Sequence, residues 1–186
     1  MILIEPPRSP TLARRNPLNK RELARFARNA IQAAGGAGGV SILLTGDERI
    51  RELNQQFRKK NNPTDVLSFP AFEWDGETAR SSKHLGDLAI SLDTASRQAQ
   101  TFGHSLATEV KVLILHGTLH LAGYDHEQDK GEMARIEARL REELDLPAAL
   151  IERTLQTQAK PAKANSAKAR SFQTPAAARK AGSARP

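Results

Sequence analysis

Three of the five histidines in the chain lie in one short segment, between His116 and His126. His116 and His120 are four positions apart, so on a helix their imidazole rings project from the same face and can bind one metal ion. Gly123 can adopt the left-handed backbone conformation that ends a helix and turns the chain back. That turn would bring His126 to the pair as a third ligand. Three imidazoles with an open fourth position are the ligand set of a catalytic zinc ion, which makes a bound water acidic.

The histidines could instead be core residues whose ring nitrogens form hydrogen bonds with the backbone. The segment from Val110 to Leu121 is apolar on nearly every side, which predicts a helix in the middle of the core. An unpaired imidazole is costly in such a place, so three histidines at this spacing favour metal binding. One Zn²⁺ ion is the expected cofactor, although imidazole sites also accept nickel, copper or iron.

A metalloprotease is one class of enzyme with a similar histidine pattern. The spacing His-x3-His-x5-His, with a glycine three residues after the second histidine, matches the metzincin proteases. In those proteases a glutamate directly follows the first histidine and acts as the general base. Here Gly117 stands at that position. Peptide hydrolysis would therefore lack its proton acceptor, and the protease hypothesis ranks below the others.

The elements that must position this segment are indicated by hydrophobic periodicity and by turn residues. Short apolar runs predict four strands, at residues 2–4, 40–44, 66–69 and 85–92. Helical spacing predicts five helices, which begin near residues 19, 47, 93, 105 and 131. The order βαβαββααα indicates an α+β fold, in which a small mixed β-sheet of about four strands packs with about five helices. The metal site is expected on the central buried helix.

Polar residues are expected to cap the free N–H groups at the start of three helices: Asn19, Asp47 and Ser105. The helix that follows Asp47 carries Ile50, Leu53 and Phe57 as its apolar residues, at the spacing of one helix face. Caps and periodicity thus agree on where these helices begin.

The composition excludes several classes of protein. The chain has 186 residues and no cysteine, which rules out disulfides, thiolate zinc sites, iron–sulfur clusters and cysteine nucleophiles. No apolar run approaches the roughly 18 residues of a membrane span, and no signal-peptide pattern follows Met1. The sequence therefore predicts a cytoplasmic protein with no membrane partner.

The net charge of +7 comes from one end of the chain. Residues 158–186 contain seven Lys and Arg residues and no acid, whereas bases and acids balance over residues 1–157. This segment is rich in Ala and poor in aromatic residues, so it is predicted to be a disordered basic tail that follows a domain of residues 1–157. Such a tail could attract nucleic acid, or it could only improve solubility.

The segment His116–His126, HGTLHLAGYDH, resembles the signature of the YbeY family of bacterial rRNA maturation factors and endoribonucleases. Two further segments resemble the same family and occur in the family's order: Pro63–Pro70, which follows Phe57 and Arg58, and Leu85–Ser91. The resemblance covers roughly residues 2–150 and leaves out the basic tail.

The resemblance implies a single zinc ion held by His116, His120 and His126, and a catalytic arginine in the groove at Arg58. It also implies cleavage of single-stranded RNA, maturation of 16S rRNA at its 3′ end and a role in ribosome quality control. The expected partners are single-stranded rRNA or its precursor, the small ribosomal subunit and its assembly factors. Arg58 could clamp a phosphate oxygen in bidentate fashion, although an arginine after a helix is often only a surface residue.

Three aspartates are weaker candidates. Asp125 could orient a ligand imidazole or could cap the turn after Gly123. Asp65 and Asp87 could act as a general base or support a ligand, but aspartates at strand ends usually only form turns.

Five other residues could contact RNA or solvent. Ser68 could form a hydrogen bond with a phosphate. Tyr124 and Trp74 could stack on bases, although packing is favoured for Tyr124. His84 and His104 lie in polar stretches and are expected to be exposed to solvent.

Two hypotheses follow, from different functional classes. The first is a zinc-dependent endoribonuclease that acts on rRNA precursors. The alternative is a non-catalytic ribosome-assembly or RNA-binding factor with a structural zinc ion. A closed structural site needs a fourth protein ligand, and the sequence offers no cysteine or nearby fourth histidine for it.

Overall fold

The structure, a computed structural model, describes residues 1–4, 18–71, 84–126 and 128–147. The elements in these ranges are β1 (Ile2–Ile4), α1 (Lys20–Ala33), β2 (Gly39–Thr45), α2 (Asp47–Arg58), β3 (Val66–Pro70), β4 (His84–Ser91), α3 (Leu92–Phe102), α4 (Leu106–Leu121) and α5 (Glu132–Glu143). This order confirms the predicted α+β fold with a mixed sheet and five helices in the described ranges.

The four strands form one sheet in the order β1-β2-β4-β3. Strands β1, β2 and β4 are parallel neighbours, and β3 pairs antiparallel with β4 at one edge. Parallel neighbours need crossover connections, and α1 and α2 lie in these connections. Strand β3 is therefore an edge strand that borders the helical layer around α4.

Alternate side chains of the strands pack on opposite faces of the sheet. On one face, Ile42 of β2 and Leu88 of β4 belong to the main core, which also includes residues of α1, α3 and α4. On the other face, Leu67 of β3 and Ala89 of β4 pack with Ile50 of α2. Helix α4 is buried on most of its sides, because it lies between the sheet, α1 and α5. This placement explains its apolar composition.

Two of the three predicted caps are confirmed. The side chain of Asn19 accepts hydrogen bonds from the backbone N–H groups of Arg21 and Glu22, at 3.1 and 3.2 Å. The hydroxyl of Ser105 accepts a hydrogen bond from the backbone N–H of Thr108, at 3.1 Å. Helices α1 and α4 therefore begin where the polar residues place them.

The predicted cap at Asp47 is wrong. Gly46 is the N-cap of α2, and Asp47 is the first helical residue. The Asp47 carboxylate accepts hydrogen bonds from Ser91 Oγ, from Thr94 Oγ1 at 2.7 Å and from Arg97 at 2.8 Å. The parallel neighbours β2 and β4 end at the same edge of the sheet, so α2 and α3 begin side by side. The carboxylate therefore stabilises the start of α3 rather than that of its own helix.

The edge strand β3 approaches β4 closely at Gly86. Its φ angle is +145°, and a Cβ atom there would lie 2.3 Å from the carbonyl oxygen of Phe69. Any larger residue would push β3 away from the sheet, so glycine is required at this position. This contact explains the glycine within the Leu85–Ser91 segment.

Some sequence predictions fall on other parts of the chain. The boundary at residue 157 and the predicted disordered tail of residues 158–186 lie outside the described residues.

Among the helices of the described ranges, none combines the length and the apolar character that a membrane crossing requires.

The Asp47 contacts predict a pH-dependent contribution to stability. Burial raises the pKa of the Asp47 carboxyl, but hydrogen bonds from Ser91, Thr94 and Arg97 outweigh it and hold the pKa below 3.8. We expect Asp47→Ala to lower the free energy of unfolding by about 2 kcal/mol at neutral pH, as measured by urea denaturation.

Because the pKa is lower in the folded chain, this contribution is present above about pH 4 and is lost as the pH falls. The difference in the free energy of unfolding between the parent and Asp47→Ala should therefore be smaller at about pH 3 than at neutral pH. Asp47→Asn is the control, since it keeps the shape and one acceptor oxygen without the charge. An Asp47→Ala difference that is the same at both pH values would contradict this account.

Candidate metal centre

The structure brings the three predicted metal ligands together. His116 and His120 lie in the last part of α4, and their Nε2 atoms are 3.2 Å apart. One ring nitrogen from each of His116, His120 and His126 lies within 4.8 Å of the others. The ring centroids are separated by 4.8 to 5.2 Å. The three imidazoles thus form one cluster at the end of the buried helix.

The turn after α4 brings the third histidine, His126, close to the other two. Gly123 has a φ angle of +92°, which is the left-handed conformation expected there. Its backbone N–H donates to the carbonyl of His120 at 3.0 Å, and the N–H of Tyr124 donates to the carbonyl of Leu119 at 3.1 Å. These bonds close the last helical turn and direct the chain back toward His126.

A buried carboxylate orients His116. Glu137 of α5 lies with its Oε1 atom 2.9 Å from Nδ1 of His116, and the two residues are only 1% and 5% exposed. Because a carboxylate accepts, the Nδ1 atom carries the proton and the Nε2 lone pair faces His120. A carboxylate that holds the distal nitrogen of a histidine in this way is a common feature of metal sites.

Glu137 was missed by the sequence analysis, although a signal was present. It lies between Met133 and Leu140 on the buried face of α5, four residues after the first and three before the second. An acidic residue within an apolar stripe needs a polar partner in the core. The sequence alone does not show that this partner is His116, because α4 and α5 meet only in the folded chain.

His120 is held in the form that binds metals. Burial, followed by the electrostatic influence of His116 and His126, lowers the pKa of His120 from 6.5 to about 4, while Asp125 opposes the shift. Its imidazole is therefore neutral near pH 7, with a lone pair available for a ligand bond.

The donor set fits a zinc ion. Zinc–nitrogen bonds of 2.0–2.1 Å in a tetrahedral site place two ligand nitrogens about 3.4 Å apart. The 3.2 Å between Nε2 of His116 and Nε2 of His120 is close to this spacing. Among the described residues, the cluster comprises these three histidines alone, so it supplies three of four tetrahedral ligands.

Gly117 brings α4 against the sheet directly beside the centre. A Cβ atom at this position would lie 2.7 Å from Cδ2 of Leu88 and 3.3 Å from Oγ of Ser68. The hydroxyl of Ser68, a candidate ligand of phosphate, donates to the carbonyl of Gly117 at 3.4 Å. A side chain at residue 117, where the metzincins have glutamate, would therefore clash with the sheet.

Arg58 is the last residue of α2 and is exposed. Its neighbour Phe57 contacts Phe69 of β3, with ring centroids 5.0 Å apart. The residue before Phe69 is Ser68, which contacts Gly117 on the other face of the same strand. Arg58 and the histidine cluster therefore lie on opposite faces of the sheet, next to the same part of its edge strand.

The three candidate aspartates all accept hydrogen bonds or pair with a neighbouring side chain. Asp65 accepts hydrogen bonds from the Val66 N–H at 2.9 Å and from the Gln98 amide at 3.0 Å. Asp87 is exposed and lies 3.1 Å from Nε2 of His84. The Asp125 carboxylate accepts from the Gln128 amide at 2.7 Å. The contacts of Asp87 and Asp125 are formed within three residues, whereas Asp65 joins the start of β3 to Gln98 of α3.

The prediction that His104 is exposed to solvent is wrong. Its Nε2 atom lies 2.5 Å from Oε2 of Glu109, whose side chain is fully buried in the first turn of α4. The ring covers that carboxylate and is itself mostly buried for this reason. Tyr124 is partly buried and packs with the cluster around α5, and Trp74 lies outside the described residues.

Comparison with known proteins identifies the protein family to which this chain belongs. The family described as Endoribonuclease YbeY matches residues 13–145. The chain is 50% identical over 146 residues to Endoribonuclease YbeY of Koribacter versatilis. The aligned residues cover 78% of this chain and 91% of the relative. It is 46% identical over 136 residues to Endoribonuclease YbeY of Solibacter usitatus. Here the aligned residues cover 73% of this chain and 86% of the relative.

A solved structure, that of TM1509 from Thermotoga maritima, is 30% identical and covers 77% of this chain and 89% of that one, with a TM-score of 0.49. The family match spans most of the chain and includes all three histidines, Arg58 and Glu137. The chain therefore belongs to the endoribonuclease YbeY family.

The geometry predicts that zinc binding depends on His120. We expect His120→Ala to lose most of the bound zinc, because two imidazoles alone hold the ion weakly. Metal content per chain, measured by mass spectrometry after dialysis, provides the check. His84→Ala is the matched control, since His84 lies outside the cluster. An unchanged zinc content in His120→Ala would contradict the three-histidine site.

The Glu137 contact predicts a smaller effect on metal affinity. Glu137→Gln keeps the shape of the side chain but removes the carboxylate that orients His116, so zinc affinity should fall about 10- to 100-fold in a chelator competition. Glu143→Gln on the same helix is the control, because Glu143 is exposed and pairs with Arg139. Equal affinities of the two variants would show that Glu137 has only a structural role.

Proposed function

We propose that this chain is a zinc-dependent endoribonuclease that cleaves single-stranded rRNA or an rRNA precursor in the cytoplasm. Its role would be 16S rRNA maturation at the 3′ end and ribosome quality control, with the small ribosomal subunit and its assembly factors as partners. The observation that carries the proposal is the cluster of three imidazoles, with ligand nitrogens within 4.8 Å of one another, at the end of the buried helix of a YbeY-family chain. The names of the relatives support RNA as the substrate.

Hydrolysis of a phosphodiester needs an activated nucleophile and compensation of the negative charge on the phosphoryl oxygens. Bound to the three histidines, a zinc ion would supply Lewis acidity for both needs. Glu137 keeps the Nε2 atom of His116 free for a ligand bond and holds the ring in one orientation. The neutral state of His120 keeps a second imidazole available near pH 7.

Arg58 would bind the substrate phosphate in this proposal. Its guanidinium group can donate two parallel hydrogen bonds to a phosphate, which a lysine cannot reproduce. The residue is exposed at the end of α2, beside the edge strand that borders the histidine cluster. A long side chain in this place can extend past a single edge strand toward an RNA bound at the centre.

Two observations argue against the other hypotheses. A protease of the metzincin type needs a glutamate at position 117, where a Cβ atom would already lie 2.7 Å from Leu88. A closed structural zinc site needs a fourth protein ligand, and the cluster within the described residues has three. The enzyme is therefore preferred over the assembly factor with a structural zinc ion.

The basic C-terminal segment supports a nucleic-acid partner by its charge. Residues 158–186 carry seven bases and no acid. Such a segment adds a non-specific, salt-dependent attraction to RNA without taking part in the chemistry.

Cleavage of an end-labelled, unstructured RNA tests the proposed activity. The purified parent should cleave it, a chelator should abolish the cleavage, and added zinc should restore it. His120→Ala should lose nearly all activity, and Arg58→Ala should lose about 100-fold or more, because one donor to the developing phosphoryl charge is missing. Arg51→Ala, an exposed arginine of the same helix, should stay within about twofold of the parent.

Identical preparation of all variants guards against a contaminating ribonuclease. Equal cleavage by the parent and His120→Ala would assign the activity to a contaminant. That result, or no cleavage by any preparation, would favour the alternative of an assembly factor that binds RNA without cutting it.

A further inference from the structure

Phe57 has an unusual position for a large apolar residue. The periodicity of α2 places it on the same face as Ile50 and Leu53, yet it is 58% exposed, whereas Ile50 is fully buried. The difference arises because the last turn of α2 lies beside the edge strand β3, where the sheet ends. An apolar ring in such a place costs free energy of hydration unless it contacts a partner.

The ring of Phe57 is held in place by a second aromatic residue. Its centroid lies 5.0 Å from that of Phe69, with an angle of 67° between the rings. Such edge-to-face pairs attract one another beyond the effect of the area that they bury. Phe69 therefore restricts the motion of the Phe57 ring, while more than half of the residue stays accessible to a ligand.

Three cations directly follow the ring. Arg58, Lys59 and Lys60 are consecutive in sequence and all exposed. Lys59 has the left-handed φ angle of +59°, and its ammonium group donates to the Gln56 carbonyl at 3.1 Å. The chain thus turns sharply at the helix end, and three cations follow the exposed ring within three residues. An aromatic face beside clustered cations is the combination that binds single-stranded nucleic acids.

This cluster lies next to the candidate metal centre. Phe57 contacts Phe69, and the preceding residue, Ser68, contacts Gly117 between the first and second histidines of α4. One edge strand therefore separates the ring from the centre. An RNA chain that passes around this edge would meet the ring on one face and the histidines on the other.

We propose that Phe57 stacks on an unpaired base of the RNA substrate, while the side chains of Lys59 and Lys60 contact the flanking phosphates and Arg58 remains the ligand of the reacting phosphate. This inference rests on the proposed ribonuclease function and names the site that selects single strands. A base within a duplex has both faces covered by its neighbours, so only an unpaired base can offer a face to the ring. Phe57 is thus a binding and specificity residue, distinct from the metal ligands.

The chain offers a matched control in Phe102. This residue also lies at the end of a helix and is 46% exposed. Its ring stacks on His104, with centroids 6.3 Å apart, and Gly103 follows it instead of a run of cations. Phe102 precedes the first turn of α4, whereas the histidine cluster lies at the other end of that helix. Loss of its ring should not affect RNA binding.

Fluorescence anisotropy with two labelled oligonucleotides tests the proposal on the full-length, zinc-loaded chain. One probe is an unstructured RNA, and the other has the same backbone and length but lacks its bases. Both probes carry 2′-O-methyl riboses and phosphorothioate linkages, which resist cleavage, and a gel after each titration confirms that they are intact. Phe57→Ala and Phe57→Leu should bind the RNA about 10-fold more weakly and the abasic probe almost unchanged. Phe57→Tyr, which keeps the ring, and Phe102→Ala should bind both probes like the parent.

The outcomes separate this inference from the proposed function. If the parent binds RNA and Phe57→Ala binds it equally well, stacking is wrong while the ribonuclease hypothesis stands. An equal loss for both probes would show that Phe57 only positions the cations. Failure of the parent to bind either probe would overturn the proposed function and this inference together. Thermal unfolding of every variant checks the fold, and Phe57→Leu keeps an apolar contact with Phe69 should the alanine variant unfold.

Discussion

The arrangement of the candidate centre depends on one buried hydrogen bond, between His116 of α4 and Glu137 of α5. Both side chains are almost fully buried, so each would carry a large desolvation cost without the other. Their contact therefore joins the two helices and at the same time sets which ring nitrogen of His116 faces His120. A mutation that removes one partner would leave the other unpaired in the core, which couples the stability of the helical layer to the chemistry of the site.

The sequence predicts those features that arise from local spacing. The separation of His116 and His120, the left-handed turn at Gly123 and the caps at Asn19 and Ser105 depend on residues within one or two helical turns, and the structure places them as expected. The all-round apolar character of α4 predicts its central position for a similar reason.

Features that depend on contacts between distant elements could not be predicted in this way. Asp47 accepts hydrogen bonds from side chains at the start of a neighbouring helix because β2 and β4 are adjacent, and this adjacency is a property of the sheet order. His104 is buried against Glu109, whose own burial follows from the packing of α4. Phe57 has the periodicity of a core residue but lies where the sheet ends. Each misplacement has the same cause, since the local sequence does not show which distant element lies against a residue.

Two glycines, Gly86 and Gly117, determine how closely strand β3 and helix α4 approach strand β4. At Gly86, a Cβ atom would lie 2.3 Å from the Phe69 carbonyl and 2.9 Å from Leu121 of α4, so the missing side chain lets β3 and α4 both approach β4. At Gly117, the same argument holds for Leu88 and Ser68. Strand β3 is therefore held between Phe57 on one face and the histidine helix on the other, with a single strand between them. A substrate that contacts both faces must bend around this edge, and a flexible single strand bends more readily than a duplex, whose persistence length is about 50 nm in the case of DNA. The preference for single-stranded RNA that we propose thus has a geometric basis in the edge strand as well as a chemical one in the exposed ring.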